Sequence, residues 1–221
     1  MMKSKSMMKK WILLIAWIVF GILFVQTTMA ATDWYVALDG TGQGTGGWVN
    51  ATNDLQGAID ACVAGDTVWV SNGVYQTGGR TITGSALTNR VVIVKNITVR
   101  SLSSDPADTV IKGSWDPVQT NGPAAVRCVY MDATSWLIGF TVTNGATLSK
   151  LITDRAATDT RGGGIYSTYS AQPMGISNCV ITCNFSAGQG GGAYGATLYD
   201  SMIVGNAVPE TSYGASSALY P

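Results

Sequence analysis

Charge is scarce in this chain: 12% of its 221 residues are Asp, Glu, Lys or Arg, and there is no His. The densest group of reactive side chains lies between positions 150 and 161 and comprises Lys150, Asp154, Arg155, Asp159 and Arg161. Carboxylates at 154 and 159 can hold a hard cation such as Ca2+, and Arg155 or Arg161 can then serve as a base or as a clamp on a saccharide. Asp154, Arg155, Asp159 and Arg161 are therefore the candidate catalytic residues. The plainer reading is a solvated loop whose surface ion pairs contribute less than ~1 kcal/mol. Glycosidase chemistry needs two carboxyls about 5–9.5 Å apart across a cleft, and nothing in the sequence pairs Asp132, Asp154, Asp159 or Asp200. Lack of His removes the usual general base and the commonest transition-metal ligand. Ser-His-Asp triads are excluded and zinc chemistry has little to stand on. Apart from the Ca2+ option, no metal and no cofactor is expected.

The elements that must carry these residues are repeats. Gly162-Gly163-Gly164-Ile165-Tyr166 returns one period later as Gly190-Gly191-Gly192-Ala193-Tyr194, and Ile181-Thr182-Cys183-Asn184 returns as Ile203-Val204-Gly205-Asn206. Such periods mark a solenoid, in which one coil cannot bury its apolar side alone. Each unit holds a short β-prone run bounded by Gly and Asn, with no room for a crossover helix. Strands of this kind can stack in register ~4.8 Å apart, as a parallel β-helix. The Gly triplets suit corners with positive φ or close backbone approach. Asn184 and Asn206 suit left-handed turn positions, with amides that bond from coil to coil. Tyr166 and Tyr194 are candidate binding residues if they are exposed aromatics on successive coils; the alternative is packing against the corner glycines.

The pattern Gly-Gly-Gly-x-Tyr followed by Ile-x-x-Asn resembles the repeat of polymorphic outer-membrane-type, right-handed parallel β-helix proteins of bacteria. Gly65-Asp66-x-Val68-x-Val70-x-x-Gly73-x-Tyr75 is similar to the opening coil of many β-helix proteins. The resemblance covers most of the chain after residue 31 and implies the fold. In β-helix enzymes, loops that leave the coil often build the substrate face. By that resemblance the 146–161 loop is similar in kind to a pectate-lyase substrate face, although no lyase motif is present.

Along the chain, residues 1–30 read as a signal peptide. Lys3, Lys5, Lys9 and Lys10 precede an unbroken apolar run from Trp11 to Val25, with Thr28-Met29-Ala30 as the cleavage site. Cutting between Ala30 and Ala31 removes those four lysines and leaves the mature chain net acidic. That balance gives nucleic acid no basic surface. Residues 31–65 hold a strand, a glycine loop and a helix over 53–63, with Leu55, Ala58, Ile59 and Cys62 on one face and Thr52 or Asn53 as its cap. This helix is expected to cover the open end of the first coil, which otherwise leaves apolar core and strand edges in water. Gly42-x-Gly44-x-x-Gly47 formally matches a dinucleotide fingerprint but reads as a turn, since no helix opens at its last Gly.

Residues 66–221 are the coils, about six or seven of them, with a period of roughly 22–28. One strand is expected over Trp136–Val142, with Ile138, Phe140 and Val142 buried and Phe140 in register with Cys179 and Ser201. Cys62, Cys128, Cys179 and Cys183 are expected reduced and stacked inward, with a Cys128–Cys179 bridge as the alternative. No closing cap is legible before Pro221, so the chain is expected to be a fragment of a longer repeat protein.

The expected fold is thus all-β: a right-handed parallel β-helix with an N-terminal capping helix, preceded by the signal-peptide helix. The expected function is a secreted or cell-surface monomer presenting an adhesion or glycan-binding face to polysaccharide or to a host or neighbouring cell surface. It would touch membrane only through the leader or an anchor beyond this sequence. A polysaccharide lyase or glycoside hydrolase fragment is the alternative.

Overall fold

The computed structural model describes residues 30–131, 134–149, 157–168 and 175–209. The leader, 1–29, lies outside them; Ala30 and Ala31, on either side of the expected cut, are exposed. Among the described residues no helix is long and apolar enough to cross a membrane.

The described residues wind through six successive coils. The first holds β1 (Asp33–Val36) and α1 (Leu55–Ala61), and the second β2 (Thr67–Val70), β3 (Gly73–Tyr75) and β4 (Thr88–Ile93). The third holds β5 (Thr98–Ser101), β6 (Thr109–Lys112) and β7 (Val126–Met131), and the fourth β8 (Trp136–Ile138), β9 (Thr141–Thr143) and β10 (Ile165–Ser167). The fifth holds β11 (Gly175–Ser177), β12 (Val180–Thr182) and β13 (Ala193–Tyr194), and the sixth β14 (Thr197–Tyr199) and β15 (Met202–Val204). The second to fifth coils each give one strand to each sheet. The orders are β1-β2-β5-β8-β11-β14, β4-β7-β10-β13 and β3-β6-β9-β12-β15. Every strand pairing is parallel. Stacked parallel sheets of this kind are those of a parallel β-helix or related solenoid.

Register places like residues above one another. Val68, Val99, Leu137 and Ile176 form one inward column, Val91, Val129 and Ile165 a second, and Ile111, Val142 and Ile181 a third. All belong to one buried cluster. Fully burying each such side chain contributes roughly 1.5–3 kcal/mol.

Two sequence expectations need correction here. The expected short period holds only for the last coils. In the six-stranded sheet the equivalent positions are Thr67, Thr98, Trp136, Gly175 and Thr197, and only the final step, from Gly175 to Thr197, falls within it. Connections lengthen freely because only the strands stack. Trp136–Val142 is also not one strand. Gly139, at φ 82°, turns a corner between β8 and β9. The alternation restarts there, so Leu137, Phe140 and Val142 are buried while Ile138 points outward, half-buried. Phe140 does sit level with Cys179: its carbonyl accepts from Val180 N–H, and its own N–H reaches Cys179 Sγ.

The Gly triplets behave as expected. Gly162 and Gly190 have φ 63° and 64°. A Cβ on Gly163 would lie 2.3 Å from the Phe185 carbonyl oxygen. The asparagines differ in detail, because the left-handed residues are Cys183 and Gly205, one position earlier. Asn184 is thereby turned inward. Its Oδ1 accepts from Gly145 N–H at 2.8 Å and its Nδ2 donates to Asn206 Oδ1 at 2.9 Å, an amide ladder across three coils.

Helix α1 starts at an Asp54 cap, not at Thr52 or Asn53: Asp54 Oδ1 accepts from Gly57 N–H at 2.9 Å. Its end is held by Lys95, whose ammonium donates to the carbonyls of Ile59, Asp60 and Cys62. Leu55, Ala58, Ile59 and Cys62 join the buried cluster. Asp66 is buried and accepts from Thr32 N–H, Val63 N–H and Trp34 Nε1–H. Burial alone would raise its carboxyl, but these bonds outweigh it and hold the pKa below the usual value.

Val142 is 0% exposed between Ile111 and Ile181. Val142→Asp should cost at least ~3 kcal/mol by stranding a charge in the shared interior. Thermal unfolding checks this; a melting temperature near wild type would disprove the register.

Candidate functional site

Of the charged cluster, Asp154 and Arg155 lie outside the described residues; Asp159 and Arg161 lie within them. Asp159 is fully buried. Its two carboxylate oxygens accept from Ser85 Oγ–H and from Ala86 N–H, the latter at 3.1 Å. It therefore clasps the 85–86 connection instead of facing a groove. Arg161 donates to the Tyr194 hydroxyl at 2.9 Å and lies over the same ring at 4.9 Å. Among the described residues no group of three or more Cys, Asp or Glu could hold a metal ion.

Tyr166 and Tyr194 are brought together, with a third ring that the sequence did not single out. Tyr130, Tyr166 and Tyr194 pair in register on the outward side of the β4-β7-β10-β13 sheet. Their centroids are 5.6 and 5.4 Å apart and the rings nearly parallel. Tyr166 is only 8% exposed, however, and packs in a cluster with Val92 and Tyr130. It is not an open platform, and the half-buried Tyr194 stacks on Tyr166 and lies under the Arg161 guanidinium.

Beneath this stack lies Arg127, the largest fully buried side chain among the described residues. Its guanidinium donates to the carbonyls of Gly162 and Arg161, both at 2.8 Å, to that of Thr158, and to Asn89 Oδ1 at 2.8 Å. Its carbon sits 5.0 Å from the Tyr166 ring centre. Burial lowers its pKa to about 10, opposed by the charge of Asp159, so it stays protonated at neutral pH. Arg127 fastens the 157–162 segment to the sheet. The three buried thiols, Cys62, Cys128 and Cys179, are free and pushed by burial to about 12, 12 and 11. None is a nucleophile at neutral pH. Cys183 is free but exposed, contrary to its expected inward stacking, because it occupies the left-handed corner.

A different face is open. On the six-stranded sheet the inward residues Trp34, Val68, Val99, Leu137 and Ile176 force their neighbours outward. One outward row is Tyr35, Trp69, Arg100, Ile138, Ser177 and Tyr199; beside it runs Asp33, Thr67, Thr98, Trp136, Gly175 and Thr197. Trp136 lies down over Gly175, where a Cβ would come within 2.0 Å of its ring. Its ring is tilted 36° against Tyr199, 5.6 Å away on the last coil, and Tyr199 is 44% exposed. At the other end Tyr35 meets Trp48 edge-on at 5.0 Å, with Trp48 39% exposed. Six strands make this strip roughly 24 Å long.

These aromatics were not singled out from the sequence. The signal was there: Trp69 lies between Val68 and Val70, and alternation alone sends it outward. Trp136 and Gly175 could not have been paired from sequence, since an entire coil with its long 146–161 connection runs between them. Comparison with protein-family models, with curated proteins and with solved structures finds no match for this chain.

Arg127→Met should cost about 3 kcal/mol, because four acceptors, two of them in fully buried bonds, lose their donor. Hydrogen exchange should accelerate over residues 157–162. A variant that melts and exchanges like wild type would remove Arg127 from this role.

Proposed function

We propose that this chain is an exported or cell-surface protein that presents the outward face of its six-stranded sheet to polysaccharide, on a host or on a neighbouring cell. Export rests on the basic front, apolar run and small-residue site of residues 1–30. The repeat resemblance to polymorphic outer-membrane-type proteins points the same way. The observation that carries the binding reading is the Trp136 ring laid flat on Gly175, with Tyr199 beside it and Trp69 and Tyr35 further along the same face. Flat rings interleaved with Thr hydroxyls suit sugars, whose rings have apolar CH faces and polar rims. Nothing among the described residues favours the lyase or hydrolase alternative, because the Asp159 carboxylate is already spent on Ser85 and Ala86.

The scaffold is proposed to be a right-handed parallel β-helix, since crossover connections between parallel strands are right-handed in ~98% of cases. In this reading α1 and the glycine loop close its first coil, and Asp66 ties the end of α1 to β1. Its depressed carboxyl contributes stability above the usual pKa of 3.8, and that contribution is lost as pH falls through the lower folded value. Asp66→Ala should cost about 1–3 kcal/mol at neutral pH, bind more apolar dye, and lose less stability than wild type on going to acid. Unchanged dye binding and an unchanged acid limb would sink the closure.

The binding reading is tested by retention of the full chain on a panel of immobilised neutral and acidic polysaccharides, scoring cleavage in parallel. Retention without cleavage is expected, weakened about three- to tenfold in Trp136→Ala. Sugar release would overturn the non-catalytic reading. Retention indifferent to Trp136, Trp69 and Tyr199 would move the site off this face.

A further inference from the structure

We infer that this face selects acidic glycans, and that Arg100 takes the carboxylate of a uronic acid unit. The inference rests on the glycan-binding reading and adds the class of sugar. Arg100 stands on β5 in the outward row, between Trp69 and Ile138. Its guanidinium carbon lies 4.5 Å from the centre of the Trp69 ring. Its Nε is buried and has no hydrogen-bond partner, which no other buried side-chain nitrogen or oxygen among the described residues shares.

The other half-buried or buried arginines spend their donors. Arg127 reaches four acceptors, Arg90 donates to the carbonyls of Lys112 and Gly78, and Arg161 donates to Tyr194. Arg80 pairs with Asp60, the one salt bridge among the described residues. The acid on the same face, Asp33, accepts from Trp69 Nε1 at 3.1 Å and not from Arg100. Arg100 is therefore a cation placed over the Trp69 ring, with its Nε donor unused. A guanidinium fork matches a carboxylate bidentately, and the Trp69 ring beneath it holds the charge on this face. Arg100 lies diagonally next to Trp136, because Thr98 pairs with Trp136 and Arg100 with Ile138. A uronic acid offers both chemistries at once: a pyranose face for Trp136 and Tyr199, and a carboxylate for Arg100.

The test compares retention of the full chain on polygalacturonate and on its fully methyl-esterified form, which has the same backbone without the charge. Wild type should prefer the acid form, with retention falling as salt rises. Arg100→Gln should lose about 10- to 100-fold on the acid form and little on the ester. Arg100→Lys should recover part, since it restores charge but not the fork. Melting curves of both variants separate a folding defect from a binding one. Equal retention on acid and ester, still lost in Trp136→Ala, would refute the acidic preference and leave the glycan face standing. No retention on either polymer or on any of the neutral and acidic polysaccharides would refute both.

Discussion

A parallel strand at the end of a stack presents a row of unpaired N–H and C=O groups, and in this protein the next coil supplies a parallel strand in register to satisfy them. This protein answers that constraint five times in succession along one sheet, from β1 to β14. Once the backbone ladder is set, side-chain columns follow without further choice. A residue at one place in a coil sits over its equivalent in the last. Val99 over Val68 and Ile181 over Val142 are consequences of the ladder, and the interior they share is what makes each coil depend on its neighbours.

Polar groups inside such a stack must obey the same repeat. Asn184 does so by bonding backbone on one side and amide on the other. Arg127 and Asp159 do it differently. They do not repeat from coil to coil but fasten a connection that leaves the coil, 157–162, to the sheet and to the 85–86 connection. Asp159, one of the charged residues that looked most like chemistry, is thus part of what holds a long connection down. That explains how the long coils beginning at Thr98 and Trp136 stack beneath the short one beginning at Gly175 without disturbing the strands.

The outward faces are where the repeat allows variety. On the β4-β7-β10-β13 sheet the aromatic ladder is packed and covered, so it contributes stacking between coils. On the six-stranded sheet the aromatics are interleaved with Thr, Gly, Ser and Arg and remain half-buried or exposed. The same amino-acid type is packed away on one face and left partly exposed on the other. Neighbours decide which, through Tyr on Tyr in the first case and Trp136 on Gly175 in the second.

Strand-and-corner recurrence, parallel stacking, glycine corners and the buried face of α1 were all legible in the residues before any coordinates. All of these are local patterns, written in alternation and in residues such as Gly162 and Gly190 whose backbone demands are specific. The restart of the alternation at Gly139, the choice of which asparagine neighbour takes the left-handed turn, and the burial of Asp159 and Tyr166 were not legible. Those outcomes depend on which residue of another coil lies opposite, and that is settled only when connections of unequal length have closed. The open aromatic face and the unpaired Arg100 belong to the same class. Each of their residues was visible singly, but exposure and pairing are properties of the stack, set by what the coils above and below leave uncovered.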